Sequence, residues 1–262
     1  MRVYASLLWI QLRTSLALAM QYRVDFVTDG FVEVFWMVTA LAPLVVIFNA
    51  RSVVAGWTFG QALMVTGFFT LLQAVLEGVI NPSVQLVVEQ IRKGTFDFVL
   101  LKPKDAQFLV ATARILPWRC VNVLTAIGLF AYGFVKLGRG PSPSDVASAL
   151  VVLVASIAIL HSLWTLGVSL AFYVVKVDNL TMLFGAVFDA ARWPSSVFRG
   201  VLHVLFTFVI PLGVMTTFPA EALLGRSSRL EMAAAALTAV IAVTVSRFVW
   251  TRAISRYTSA SS

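Results

Sequence analysis

The apolar residues of this chain fall into blocks of about 20, which is the length a helix needs to cross a bilayer's hydrocarbon core. Membrane strands are about half as long and alternate in polarity, so a barrel is the poorer fit. Hydrophobic residues make up 60% and charged residues 12% of the 262 positions, with a mean hydropathy of +0.90. A soluble domain carries about 25% charge, and half of that is missing here. The chain is predicted to be a single all-α integral membrane domain over residues 1–262.

Cys120 is the only cysteine and there are two histidines, so an internal disulfide is impossible and a structural zinc site is disfavoured. The formal charge of +8 would raise nucleic acid as a partner for a soluble protein. In a membrane protein it records topology and contact with anionic lipid, so lipid is expected as a partner and nucleic acid is not.

Residues 1–23 imitate a signal peptide, but Arg13 divides the apolar run. Arg2, Ser6, Trp9 and Arg13 share one helical face, as in an uncleaved helix resting in the headgroups. Spans are predicted at approximately Phe31–Phe48, Phe59–Ile80, Ile115–Val135, Ala147–Val174, Val201–Thr217 and Met232–Trp250, with Pro211 breaking the fifth. Between the second and third, Asn81 is expected to cap an amphipathic helix that has Pro82 in its first turn and Gly94 at its end, buried along Val84, Val87, Val88 and Ile91. The loop from Lys136 to Asp145 cannot continue a helix. Residues 180–199 hold Asp189, Arg192, Pro194 and Arg199 and read as interfacial, and Phe218–Glu231 reads as a hairpin or re-entrant piece on the far side. In this six-span scheme 15 of the 20 Lys and Arg residues lie on the side of the termini, which the positive-inside rule makes cytoplasmic.

No G-x-x-x-x-G-K-[ST] loop occurs, so any ATP drive must come from a partner. Asp25, Asp29 and Glu33 at spacing four offer a metal reading, set against a solvated helix start. Glu77, in the cytoplasmic third of the second span, reads either as a polar contact in a translocation path, or as an ion pair with Arg114 or Arg119, or as a snorkelling side chain. His161 and His203 are assigned to packing ahead of a proton relay. Trp9, Trp57, Trp118, Trp193 and Trp250 fall at predicted boundaries and read as interface anchors. Phe68, Phe69, Phe206 and Phe208 line a hydrophobic substrate's cavity or pack between helices.

Function is most legible in Gln90-Ile91-Arg92-Lys93-Gly94-Thr95-Phe96-Asp97-Phe98-Val99-Leu100-Leu101-Lys102-Pro103. An amphipathic helix, a glycine stop, an exposed Phe-x-Phe and a proline-ended apolar strip fit an element that docks something or lies on the membrane. That segment, with the later Ile210-Pro211-Leu212 and Phe218-Pro219-Ala220, resembles the ABC-2 type permeases, most of all a bacterial six-span branch encoded beside an ABC ATPase.

The resemblance implies a type V exporter-like fold, with an N-terminal interfacial helix, a cytoplasmic coupling helix and a short re-entrant exoplasmic segment. It implies a permease that is not itself an enzyme, in a bacterial cytoplasmic membrane with both termini inside. Partners would be ABC ATPase subunits, which carry ATP and Mg, and a second permease, the same or different. The cargo would be a hydrophobic or amphipathic drug, peptide or lipid. Carried onto this chain, Arg92, Lys93, Gly94, Asp97, Phe98, Leu101 and Pro103 become the ATPase-coupling surface, and Phe218, Pro219 and Leu223 an exoplasmic gate. Two rivals use other chemistry, namely an ion-coupled transporter or channel built on Glu77 and a metal-dependent lipid-modifying enzyme built on the 25–33 carboxylates.

Overall fold

The computed structural model describes residues 2–21, 23–173 and 178–257. The chain is mostly helical, and among the described residues five helices are long and apolar enough to cross a membrane: Gly30–Ala50, Phe59–Arg92, Pro117–Leu137, Pro143–Phe172 and Arg229–Ser255. α1 (Arg2–Gln21) and α2 (Arg23–Ala50) come first. A hairpin of β1 (Val53–Val54) and β2 (Trp57–Thr58) follows, turned by Ala55 and Gly56, both at positive φ.

α3 (Phe59–Val75) is the centre of the molecule, with most of its residues buried from Gly60 to Ala74. Small residues let α7 (Cys120–Leu137) approach it closely. A Cβ built on Gly133 would lie 3.0 Å from the Gly60 carbonyl, and one on Gly67 would lie 2.4 Å from the Phe130 ring.

The first departure from expectation lies at Asn81. Instead of capping a separate helix, it sits in αR backbone, and α3 continues through a π segment (Leu76–Ile80) into α4 (Asn81–Arg92). The result is one helix of 34 residues, about 50 Å long at 1.5 Å per residue. Pro82 has no N–H to give the Gly78 carbonyl. The Leu116 N–H takes that carbonyl at 2.7 Å, so the helix passes the proline with its backbone satisfied. The Asn81 side chain instead accepts the Trp164 indole N–H at 2.6 Å. Along α4 the apolar stripe lies as expected, with Val84, Val87 and Val88 buried and Ile91 against the core.

α5 (Asp97–Leu100) and α6 (Ala106–Ala111) lead to a 3-10 turn at Pro117–Arg119 and then to α7, which stops at left-handed Gly138. α8 (Pro143–Ser169) begins as the sequence dictates: the Ser142 hydroxyl accepts the Asp145 N–H, and the Asp145 carboxylate accepts the Ser142 N–H. Ser228 and Glu231 repeat the device at the start of α12 (Arg229–Ser255), which packs along α8. Of the tryptophans expected at the membrane boundaries, Trp57 and Trp250 are buried within the protein and Trp9 is exposed.

The second departure concerns residues 178–224. α9 (Asp178–Asp189) and the turn after it pack into the bundle: Phe188 stacks on Phe69 at 5.1 Å, and the Phe184 ring fills the space that a Cβ on Gly167 would take. The Ser196 hydroxyl accepts the Trp57 indole N–H and donates to the Ala55 carbonyl, reaching the hairpin between α2 and α3. Within the segment 180–199, expected at the interface, Phe188, Ala191 and Pro194 are buried against the helices, whereas Asp189, Ser196, Val197 and Arg199 are exposed. The expected fifth span, Val201–Thr217, is not one helix. It divides into α10 (Val201–Val204), a π turn, a break at Ile210–Pro211, a second π turn (Gly213–Thr217) and α11 (Phe218–Leu223). The second turn runs beside the preceding strip, with the Thr216 hydroxyl on the Ala191 carbonyl and the Ser195 N–H on the Thr217 hydroxyl. Leu224 then accepts Arg139 at 2.8 Å, in the loop between α7 and α8.

Candidate functional site

Two groups of residues stand out, one at each end of the second half of the long helix, Leu76 to Arg92. The first begins where α4 ends. Gly94, at φ +68°, reverses the chain in a conformation other residues rarely adopt, and the Thr95 and Phe96 N–H groups close on the Gln90 carbonyl. Lys93 pairs with Glu89 at 2.6 Å.

The Phe-x-Phe pair splits by role, contrary to the expectation that both rings are exposed. Phe96 is fully buried against Phe172, Trp250 and Tyr257, which fastens the loop to the ends of α8 and α12. Phe98 is 68% exposed and Leu101 79%. Around them Arg92, Lys93, Lys102, Pro103 and Lys104 are exposed and Asp97 is half-buried. An outward apolar patch with a basic rim is thus held on a fixed aromatic base, a surface suited to docking a protein. The seven residues expected to couple run over the end of α4, the Gly94 turn, α5 and the turn that follows it.

Asp105, which sequence reasoning passed over, anchors the far end of the loop. Its carboxylate accepts the Phe108 N–H and takes both arms of Arg247 from α12, at 3.1 and 2.5 Å, while Arg247 also reaches Gln107 at 2.8 Å. The hydrogen bond from Arg247 holds the Asp105 carboxyl below its usual range. No local signal joins two residues 142 positions apart.

The second group lies one helix length away, around the π segment. Arg119, in the turn before α7, reaches Glu77 at 2.7 Å and pairs with Glu33 of α2. Gln73 donates to Glu77 at 3.1 Å. Of the two partners expected for Glu77, Arg119 is the one in contact. Arg114 instead uses its backbone, giving its N–H to the Ser83 hydroxyl and accepting that hydroxyl's hydrogen. Glu33, grouped in sequence with Asp25 and Asp29, belongs to this ion cluster. The side chains of Asp25 and Asp29 lie outside the described residues, and among the described residues no three His, Cys, Asp or Glu side chains are grouped to hold a metal.

Of the four phenylalanines, Phe68, Phe69 and Phe206 belong to the same buried cluster. Phe68 packs on Phe130 and Phe206 edges onto Phe198. Phe69 carries Phe188 on its ring and the Arg192 guanidinium 5.0 Å from its centroid. The side chain of Phe208 lies outside the described residues. The gate candidates sit in α11, where Pro219 and Leu223 are buried against α8 and α3 and Phe218 is half-buried. In the same helix, burial and then the nearby Glu231 push Glu221 up to about 7. His161 hangs on its own helix, in contact with Thr165, beside an open apolar groove that includes Phe108 and Val243. His203 stands in exposed α10.

A family model described as "ABC-2 family transporter protein" matches residues 34–261. No curated protein and no solved structure matches the chain.

Proposed function

The chain belongs to the ABC-2 family of transporter proteins, and from that premise we propose that it is the membrane subunit of an exporter driven by a separate ABC ATPase. ATP and Mg bind on that partner, and a second permease, identical or different, completes the pathway. The cargo is a hydrophobic or amphipathic drug, peptide or lipid-like molecule. The membrane is the bacterial cytoplasmic membrane, with both termini inside.

The observation that carries this reading is the exposed patch of Phe98 and Leu101 at the end of an unbroken 34-residue helix. A helix that runs from the central bundle out to a docking surface moves as one body. A partner that pushes on 92–103 therefore shifts the packing around α3 directly.

We read six crossings. The fifth is the segment 178–196, since it starts beyond α8 and ends on the hairpin that joins α2 to α3. Residues 201–224 then dip in and return on that same side, a path supported by the Arg139–Leu224 contact. Irregular backbone at this depth is tolerated where protein covers it. Arg192 moves into the bundle and Arg199 to the outer side in this scheme, and the basic excess stays with the termini.

Purification of the tagged chain from its host in mild detergent tests the assignment. An ABC ATPase is expected in the particle, and Phe98→Ala with Leu101→Ala should lower its recovery at least fivefold without loss of the permease. Full recovery with the double variant would remove the coupling role, and absence of any ATPase from the wild-type particle would remove the exporter reading.

A further inference from the structure

The loop that carries Phe98 and Leu101 is fastened at both ends, and both fastenings reach α12. Near its start the Phe96 ring makes edge contacts with Trp250 and Tyr257, and with Phe172 beyond the end of α8. At its end the Asp105 carboxylate takes both arms of Arg247, which also donates to Gln107. Arg247, Trp250 and Ile254 are spaced i, i+3 and i+7, so they lie along one stripe of the helix.

The two fastenings differ in what they transmit. Apolar burial is non-directional, so the Phe96 contacts hold the loop down without fixing how it is turned. A carboxylate gripped by two nitrogens of one guanidinium is fixed in direction as well as in distance, and it follows a pull as well as a push. Asp105 also accepts the Phe108 N–H as the cap of α6, which ties the grip to the backbone of the loop. Seating α12 does not require this pair. The helix already packs along α8, with Ala235, Ala239 and Ser246 buried, and residues 232–246 carry no charge. Arg247 is the first ionisable side chain after that apolar stretch, where such a residue marks a functional position. At its other end, about 27 Å away at 1.5 Å per residue, α12 starts beside α11, the helix of the gate candidates Phe218, Pro219 and Leu223.

We propose that Asp105 and Arg247 are positioning residues for coupling: they join the docking loop to α12, so that a displacement of the loop by its partner is carried along α12 to α11. The inference rests on the exporter reading and adds to the long helix a second rod, one that ends beside the gate.

The test uses the complex recovered with its ATPase, in phosphatidylethanolamine–phosphatidylglycerol nanodiscs. A nitroxide is attached at Leu230→Cys, on an exposed residue in the first turn of α12, in a Cys120→Ser background that removes the one native thiol. ATP with vanadate is expected to change the mobility of the nitroxide, measured per ATPase bound. Asp105→Asn keeps a side-chain oxygen for the α6 cap and loses the ion pair, and it should shrink that change at least fivefold, as should Arg247→Gln. Exchanging the pair, Asp105→Arg with Arg247→Asp, should restore at least half of it, which a general weakening of the fold would not. If the exchanged chain does not elute as a single species, Asp105→Asn combined with Arg247→Gln replaces it, and its loss should equal that of either change alone. A full response in the single variants, no recovery on exchange, losses that multiply in the double variant, or no response in a wild-type complex that holds its ATPase overturns this inference alone. A wild-type particle without any ATPase overturns the exporter reading, and this inference with it.

Discussion

α2 and the helix that begins with α3 are both apolar enough to span a membrane, yet 72% of the apolar window in Phe59–Arg92 is buried within the chain and only 6% of that in Gly30–Ala50. Hydropathy alone does not separate them, since the exposed helix is the more apolar of the two. What separates them is the size and polarity of the side chains. α3 carries Gly60, Gly67, Gln61, Thr66 and Thr70, which allow close backbones and internal hydrogen bonds, whereas α2 shows Phe31, Phe35, Trp36 and Val46 outward. Bulky apolar side chains are as content against lipid as against protein, so a helix made of them need not be held by its own chain. α2 is nevertheless tied down through Glu33, which Arg119 links to Glu77.

Cutting that tie should have the largest effect. Arg119→Ala leaves two carboxylates in the membrane without their shared cation, a loss of about 3 kcal/mol by analogy with broken buried ion pairs. Thermal unfolding in detergent should show it, and Glu33→Gln with Glu77→Gln in the same background should restore most of the loss. If the triple variant stays as unstable as Arg119→Ala alone, the tie is not electrostatic.

The next effect sharpens the contrast itself. Gly67→Leu drives a side chain into the Phe130 ring and should cost about 2 kcal/mol by overpacking, read from the same melting curves. A midpoint equal to wild type would mean that α3 and α7 are not packed as closely as their glycines imply.

A smaller effect appears outside the long helices. Because Glu221 is raised to about 7, the fold favours its protonated form. The penalty is absent below the ordinary glutamate pKa of about 4.3, grows as pH rises and is complete above about 7. Protection of the α11 amides, relative to their intrinsic exchange at each pH, should therefore fall between pH 5 and 8, and Glu221→Gln should flatten that dependence.

The least effect belongs to α2. Phe35→Leu, on its exposed face, should move the monomer's stability by less than about 0.5 kcal/mol. A loss as large as that of Gly67→Leu would show that α2 packs as α3 does and would end the comparison.

What was legible in the sequence follows the same division. Helix starts with local chemistry were readable: Ser142 with Asp145 and Ser228 with Glu231 announce α8 and α12, and the valines of α4 declare its buried stripe. Asn81 misled because Asn-Pro signals a helix start, and only the distant Leu116 N–H makes a continuous helix possible. Residues 180–199 read as interfacial because Asp189, Arg192, Pro194 and Arg199 interrupt an apolar segment. Burial within the segment depends on partners such as Phe69 and Gly167, which are distant in sequence. Phe96 and Phe98 look alike in sequence, and a two-residue step around a turn sends one ring inward and the other out. Of the intramembrane cluster, Glu77 was visible as a lone charge and Arg119 as a candidate partner, but Glu33 joined them only through the fold.

The π segment at Leu76–Ile80 has a further consequence. An α-helix turns about 100° per residue, and a π segment accommodates one residue more than the α-helix it replaces. It therefore acts as a phase shifter between the two halves of the long helix, setting the compass bearing of Arg92 and of everything the loop presents, independently of how α3 is seated. Winding the same five residues as α-helix would leave a smoother and more regular rod, and it would swing Phe98 and Leu101 by about a quarter-turn relative to α3.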